Sequence, residues 1–216
     1  MEAGKAVDAY GCAHGNATQQ ADGTSAYTQA LLGGVKTWIR FPRDRWPKGW
    51  DKFSDPVCPL KLALYGHPDA GGYWEKHCDK HILSEGFTTI NDWRSVYWHK
   101  QLKLLLIVYV DDFKMSGPVD SLQEGWRKLR KGLIMDEPTP AGKFLGCTNV
   151  VNTIQVREPF NCTSLTGEGG ITPKTEQSEK IITVNIVKYD QRPFLEQCVI
   201  RYLELAGKDA PSLKRA

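Results

Sequence analysis

The stretch Leu104–Val110 restricts this chain more than any other, because an uninterrupted apolar run there drives straight into Asp111-Asp112. The run has the length of a strand and falls far short of the roughly 20 residues that cross a bilayer. Two adjacent carboxylates at the end of a buried strand cost free energy unless something compensates them. A divalent cation is the natural partner, since Mg²⁺ prefers hard oxygen ligands and a carboxylate or two. The plainer reading is the polar tip of a hairpin, where Asp is common. Taken alone, Tyr109-Val110-Asp111-Asp112 leaves both open. Phe113-Lys114-Met115-Ser116 then reads as the returning arm.

The rest of the chain supplies helices and strands without regular alternation, which predicts an α+β fold and not a doubly wound sheet. Residues 35–42 alternate apolar and polar and end at Pro42, a half-buried strand. A loop rich in Pro, Trp and charge follows to about residue 56. Asp69 suits the N-cap of a helix over 69–85 whose buried face is Trp74, Cys78 and Ile82. Gly86 stops that helix and Phe87 packs back on its last turn. Ser95–Trp98 and Leu102–Tyr109 read as strands. Residues 119–133 form an amphipathic helix on Leu122, Trp126, Leu129 and Leu133. Phe144–Val150 and Thr153–Val156 suggest a hairpin, 161–180 a long loop, and 190–206 a helix with Phe194, Cys198, Tyr202 and Leu205 as its apolar edge. Residues 1–18 are small, polar and patternless, a disordered or truncated lead-in.

Composition sets broad limits. Of 216 residues 41% are hydrophobic and 25% charged, a globular balance and not a disordered one. The net charge of +3 permits a nucleic-acid partner without demanding one. Basic residues cluster at Arg40, Arg43, Arg45 and Lys48, and again at Arg127, Lys128, Arg130 and Lys131, where a solvated helix face explains them equally well. Six cysteines without a framework, and no apolar signal segment, predict free thiols in a cytoplasmic chain that is neither secreted nor membrane-bound. His77, Cys78 and His81 have zinc-like spacing, but no fourth ligand accompanies them and Cys78 serves the apolar helix face.

Four segments then combine. Asp22-Gly23 with Ala26-Tyr27, Leu64-Tyr65-Gly66, Tyr109-Val110-Asp111-Asp112 and Phe144-Leu145-Gly146 occur in the order and spacing of copia-type LTR retrotransposon reverse transcriptases. The resemblance spans roughly residues 19 to 205. It implies a right-hand polymerase palm over 19–158, an antiparallel sheet with packed helices, and a linker and thumb-like helical segment over 159–216, with the fingers largely missing. It implies an RNA-directed DNA polymerase that transfers nucleotides to a primer 3′-OH with two Mg²⁺ ions, Mn²⁺ being a possible substitute. By the same match Asp22, Asp111 and the Gly23 carbonyl are metal ligands and Asp112 is the supporting carboxylate. Tyr27 lies under the incoming sugar, Tyr65 and Gly66 contact the nucleotide, and Phe144-Leu145-Gly146 holds the primer end. The implied partners are a primed RNA or DNA template, deoxynucleoside triphosphates and, in an intact element, integrase and ribonuclease H domains within a virus-like particle. After Gly66 the chain departs from the family, with His67-Pro68-Asp69-Ala70-Gly71-Gly72 in place of Leu-Lys-Gln-(Ala/Ser)-Pro-Arg. That departure motivates the alternative of a catalytically inactive, truncated remnant that at most binds nucleic acid. Another two-metal enzyme, such as a nuclease, is a third reading, against which Tyr27 speaks.

Overall fold

The computed structural model describes residues 2–158 and 180–207. In chain order the elements are α1 (Glu2–Gly11), β1 (Asn16–Asp22), β2 (Trp38–Arg40), β3 (Val57–Pro59), α2 (Ala70–Ser84), β4 (Thr88–Ile90), β5 (Trp93–His99), β6 (Leu104–Tyr109) and β7 (Asp112–Pro118). There follow α3 (Val119–Leu129), β8 (Thr139–Pro140), β9 (Lys143–Phe144), β10 (Cys147–Glu158), β11 (Lys180–Asp190) and α4 (Arg192–Ala206). Six strands form one sheet in the order β4-β5-β6-β7-β1-β8, every pairing in it antiparallel. β11-β10-β9 make a second sheet and β2-β3 a small ribbon. The fold is α+β, as expected. Among the described residues no helix is long and apolar enough to cross a membrane.

Strand alternation assigns the two faces of the large sheet. Leu104, Leu106 and Val108 of β6 and Phe113 and Met115 of β7 are buried against Trp74 and Ile82 of α2 and Leu122, Trp126 and Leu129 of α3. Trp126 Nε1 donates to Gln19 Oε1 at 2.8 Å, which ties α3 to β1. Gly125 lets α3 settle on the sheet, since a Cβ there would overlap Leu104 and Met115. On the opposite face Lys114 and Ser116 are buried. There α1 lies against β1, β6 and β7, and Gly11 is the close approach, because a Cβ would collide with Thr18.

The α2 expectation holds: Trp74, Cys78 and Ile82 are its buried stripe, and Asp69 occupies the N-cap without a side-chain capping bond. Helix α3 ends at Leu129, and Leu133 is buried beyond it. Other expectations need correction. The 1–18 lead-in is instead the ordered helix α1 followed by the start of β1, so the 18/19 boundary falls inside a strand. Periodicity misses α1 because its buried residues are Val7, Asp8 and Gly11, one apolar residue among a charge and a glycine. The half-buried strand over 35–42 shortens to β2 with only Ile39 half-buried. The expected hairpin between 144–150 and 153–156 does not form: β10 runs unbroken through both and pairs with β11 from Thr148↔Asp190 to Glu158↔Lys180. The 158/159 boundary therefore divides the two arms of one hairpin. Residues 161–179 of the expected 161–180 loop lie outside the described residues, and Lys180 opens β11. Helix α4 forms, but Phe194, Cys198, Tyr202 and Leu205 are exposed and Leu203 is its buried residue. The described cysteines 12, 58, 78, 147 and 198 are free thiols.

Candidate active site

The sheet order brings two distant acids together. β1 pairs with β7 so that Asp22 stands directly opposite Asp112, 90 positions later in the chain. The β6–β7 connection is the two-residue turn Val110-Asp111, closed by Tyr109↔Asp112. Val110 takes a left-handed φ of 58°, an unusual conformation for a β-branched residue that needs support from its surroundings. Two bonds supply that support. Trp74 Nε1 donates to the Val110 carbonyl at 2.6 Å, and the Gly23 N–H donates to the Asp111 carbonyl at 2.6 Å. Helix α2 and strand β1 thus grip the turn from separate sides.

The electrostatics are those of crowded acids. The Asp112 carboxyl is pushed up to about 6 by burial first, then by the charges of Asp22 and Asp111 and a hydrogen bond to the Asp22 carboxyl. Asp22 is exposed and Asp111 and Asp112 are half-buried, so water or a cation can approach. Oxygen-only donors suit a hard divalent ion. Among the described residues, however, no three His, Cys, Asp or Glu side chains close into a group able to hold a metal. The carboxyls that meet are Asp22 and Asp112, whereas the resemblance pairs Asp22 with Asp111. Gly23 is buried, with its N–H committed to Asp111.

Tyr27 and Tyr65 do come together. Tyr27 sits on a short 3₁₀ turn directly after β1, and its ring stacks on Tyr65 with centroids 4.4 Å apart and planes at 25°. The two segments are joined by the Leu31↔Leu62 bridge and by Ala63 N–H donating to Ala30 O at 2.9 Å. Gly66 follows at φ 93°, where glycine is favoured. Tyr27 also lines a cavity of about 300 Å³ with Trp74, Cys78, Tyr97, Val108 and Val110, against the acidic turn.

Phe144-Leu145-Gly146 is a tight turn between β9 and β10, with Leu145 and Gly146 both left-handed at φ 49° and 77°. Gln20 clamps it to β1: its Nε2 donates to Lys143 O at 2.9 Å and its Oε1 accepts from the Gly142 N–H at 3.0 Å. The turn is thereby tied to the strand that ends in Asp22. His81 and Cys78 have other roles. His81 Nε2 lies 2.9 Å from the Leu129 carbonyl, linking α2 to α3, and burial pushes the Cys78 thiol up to about 12.

Sequence reasoning missed Trp74 as a support of the turn, because its four-residue step marks only a core position. It missed the Gln20 clamp and the cross-bonding of Gln29 to Thr24 and Ile134, since lone glutamines carry no pattern. No protein-family model, curated protein or solved structure matches this chain.

Proposed function

We propose that this chain is the palm portion of a copia-type reverse transcriptase, an RNA-directed DNA polymerase acting on a primed RNA or DNA template with deoxynucleoside triphosphates. The observation that carries the proposal is the meeting of Asp22 and Asp112 beside Asp111, where burial and the two neighbouring negative charges raise the Asp112 pKa, on a turn gripped by Trp74 and Gly23. Two Mg²⁺ ions, or Mn²⁺ in their place, supply charge neutralisation and activation of the primer 3′-oxygen when bound. Asp22, Asp111 and Asp112 would hold them through carboxylate oxygens. The Trp74 and Gly23 bonds fix where those oxygens stand, which matters because phosphoryl transfer depends mainly on positioning and electrostatics. The stacked Tyr27 and Tyr65 rings form a flat wall, with Tyr27 lining the cavity against Tyr109 and Val110 of the acidic turn, suited to a sugar without a 2′-hydroxyl. The Phe144–Gly146 turn, clamped to the same strand, suits the primer end. In an intact element the chain would work in a cytoplasmic particle beside integrase and ribonuclease H domains.

One observation favours a second reading, the inactive remnant that only binds nucleic acid. Asp22 and Asp112 bond to each other, and no three-ligand group closes around them. Primer extension on oligo(dT)-primed poly(rA) with Mg²⁺ decides between the two. The proposal expects incorporation by the wild-type chain that falls to background in Asp111→Asn. Duplex binding without incorporation by either protein would establish the remnant instead.

A further inference from the structure

We infer that the segment Val35–Val57, which includes β2, is a docking platform for single-stranded nucleic acid, a surface separate from the carboxylate site. No residue from Val35 to Val57 is buried, yet the segment is ordered by contacts among its own aromatic rings. Phe41 and Trp50 meet edge to face at 6.1 Å, Trp50 and Phe53 at 6.5 Å, and Trp46 Nε1 donates to the Phe41 carbonyl at 3.0 Å. Trp38 is 55% exposed and Phe53 49%. Folding alone gives no reason to hold so many large rings in water, and clustered exposed apolar surface marks an interaction site.

Charge selects the occupant. The segment carries Lys36, Arg40, Arg43, Arg45, Lys48 and Lys52 against Asp44, Asp51 and Asp55, a net of +3 that equals the charge of the whole chain. Asp55 is paired with Arg40 at 2.8 Å and Asp44 with Arg45 at 3.3 Å. Arg43 lies over the Trp46 ring at 5.6 Å and Lys52 over Phe53 at 5.3 Å, so cations and rings are interleaved. A polyanion with unstacked bases answers both features, through phosphates on the cations and bases on the rings. Duplex nucleic acid keeps its bases stacked inside and answers only the first. The base of the platform is tied to the segment that carries Tyr65. Leu60 N–H donates to Thr37 O at 2.8 Å, and Thr37 Oγ1 lies 3.2 Å from His67 Nε2, two residues past the stacked Tyr65. A strand held here leads toward Tyr65. The inference shares a class of partner with the proposed polymerase but rests on different residues, so strand binding without incorporation, or the reverse, tells which of the two has failed.

The test is fluorescence anisotropy of a labelled oligo(dT) of about 15 nucleotides, a length within the range one such platform covers. The Trp38→Ala, Phe53→Ala double variant should weaken binding at least about tenfold. Lys36→Gln with Lys48→Gln should make the dependence of log affinity on log salt shallower by about 1.4, from two lost phosphate contacts. Lys5→Gln, an exposed change on α1 outside the platform, should bind as the parent does. Parent-like binding by both platform variants, or parental preference for duplex over single strand, overturns the inference. So does a dimer in sedimentation equilibrium that the ring variant disperses, since the face would then belong to a second copy. If the ring variant unfolds, the lysine variant, which changes only exposed side chains, decides alone.

Discussion

Two charged positions on the same face of the sheet, Asp112 and Lys114, two residues apart along β7, are treated in opposite ways. Where Lys114 stands opposite Gln20, the helix α1 brings in Asp8, and the charge is fully answered. Lys114 Nζ contacts both Asp8 oxygens at 3.1 Å, and Tyr189 of β11 donates to Asp8 Oδ2 at 2.8 Å. Lys114 is 1% exposed and Asp8 3%. Two residues on, Asp112 faces Asp22, and the charges of Asp22 and Asp111 add to burial in raising its pKa. The fold can neutralise a buried carboxylate when structure alone is at stake, and it also used this one to join α1 and β11 to the sheet. A half-buried acid crowded by like charges costs stability, and the raised pKa of Asp112 is the strain a bound cation would relieve.

The strongest way to break this comparison is to remove one partner on the compensated side. Lys114→Met should lower the unfolding free energy by about 3–5 kcal/mol, because Asp8 would stay buried without its cation. Asp112→Asn should act with opposite sign and raise it, by removing a half-buried charge and its repulsion with Asp22 and Asp111. Urea denaturation of both variants measures the contrast. Equal and same-signed shifts would mean that the two positions do not differ in the way described.

Mg²⁺ sharpens the same contrast. Present at about 100 times its dissociation constant, a cation that binds the folded chain adds about 2.7 kcal/mol. The urea midpoint of the wild type should rise with Mg²⁺, and those of Asp22→Asn and Asp112→Asn should stay in place. This readout requires no catalysis. An unmoved wild-type midpoint would remove the metal from the proposal.

A smaller effect follows from pH. The folded Asp112 carboxyl holds its proton up to about 6, against an ordinary 3.8. Protonation is therefore favoured by folding. The associated stability is complete below pH 4 and is lost as pH rises through about 6. Metal-free wild type should lose stability relative to Asp112→Asn between pH 4 and 7, and saturating Mg²⁺ should reverse that trend near neutrality. A flat difference curve would show that the acids do not crowd one another.

How much of this was legible beforehand follows the same division. The apolar run 104–110 and the stripe Trp74–Cys78–Ile82 announced their elements, because burial at periods of two and nearly four leaves a direct mark. The acids Asp22 and Asp111-Asp112 were found through motif order, and the antiparallel register sets Asp22 against Asp112. The compensated site was invisible. Asp8, Lys114 and Tyr189 lie on three elements, and a charge buried by a distant partner looks in sequence like any surface charge. Strand β11 escaped for a related reason: its partner β10 lies across residues 159–179, and only the long-range pairing defines it. Helix α4 shows the converse, an apolar edge read from spacing that meets no core.

The smallest expected effect bears on how the uncompensated acids are held. Trp74 is 2% exposed and already belongs to the core, so Trp74→Phe keeps most of its packing while deleting the bond from Nε1 to the Val110 carbonyl. The lost hydrogen bond costs about 1 kcal/mol, and the narrower ring adds somewhat to that. Gly23 still grips Asp111 from the other side, so the turn should persist with more freedom. That freedom would fall on the carboxylates and leave the stacked Tyr27 and Tyr65 intact. In the proposed polymerase kcat should therefore drop while KM for the nucleotide holds, a split that general destabilisation would not produce. If kcat is unchanged, the Gly23 bond alone suffices to position the turn. If KM rises with kcat intact, Trp74 acts through the cavity it shares with Tyr27, and the site is held from the nucleotide side.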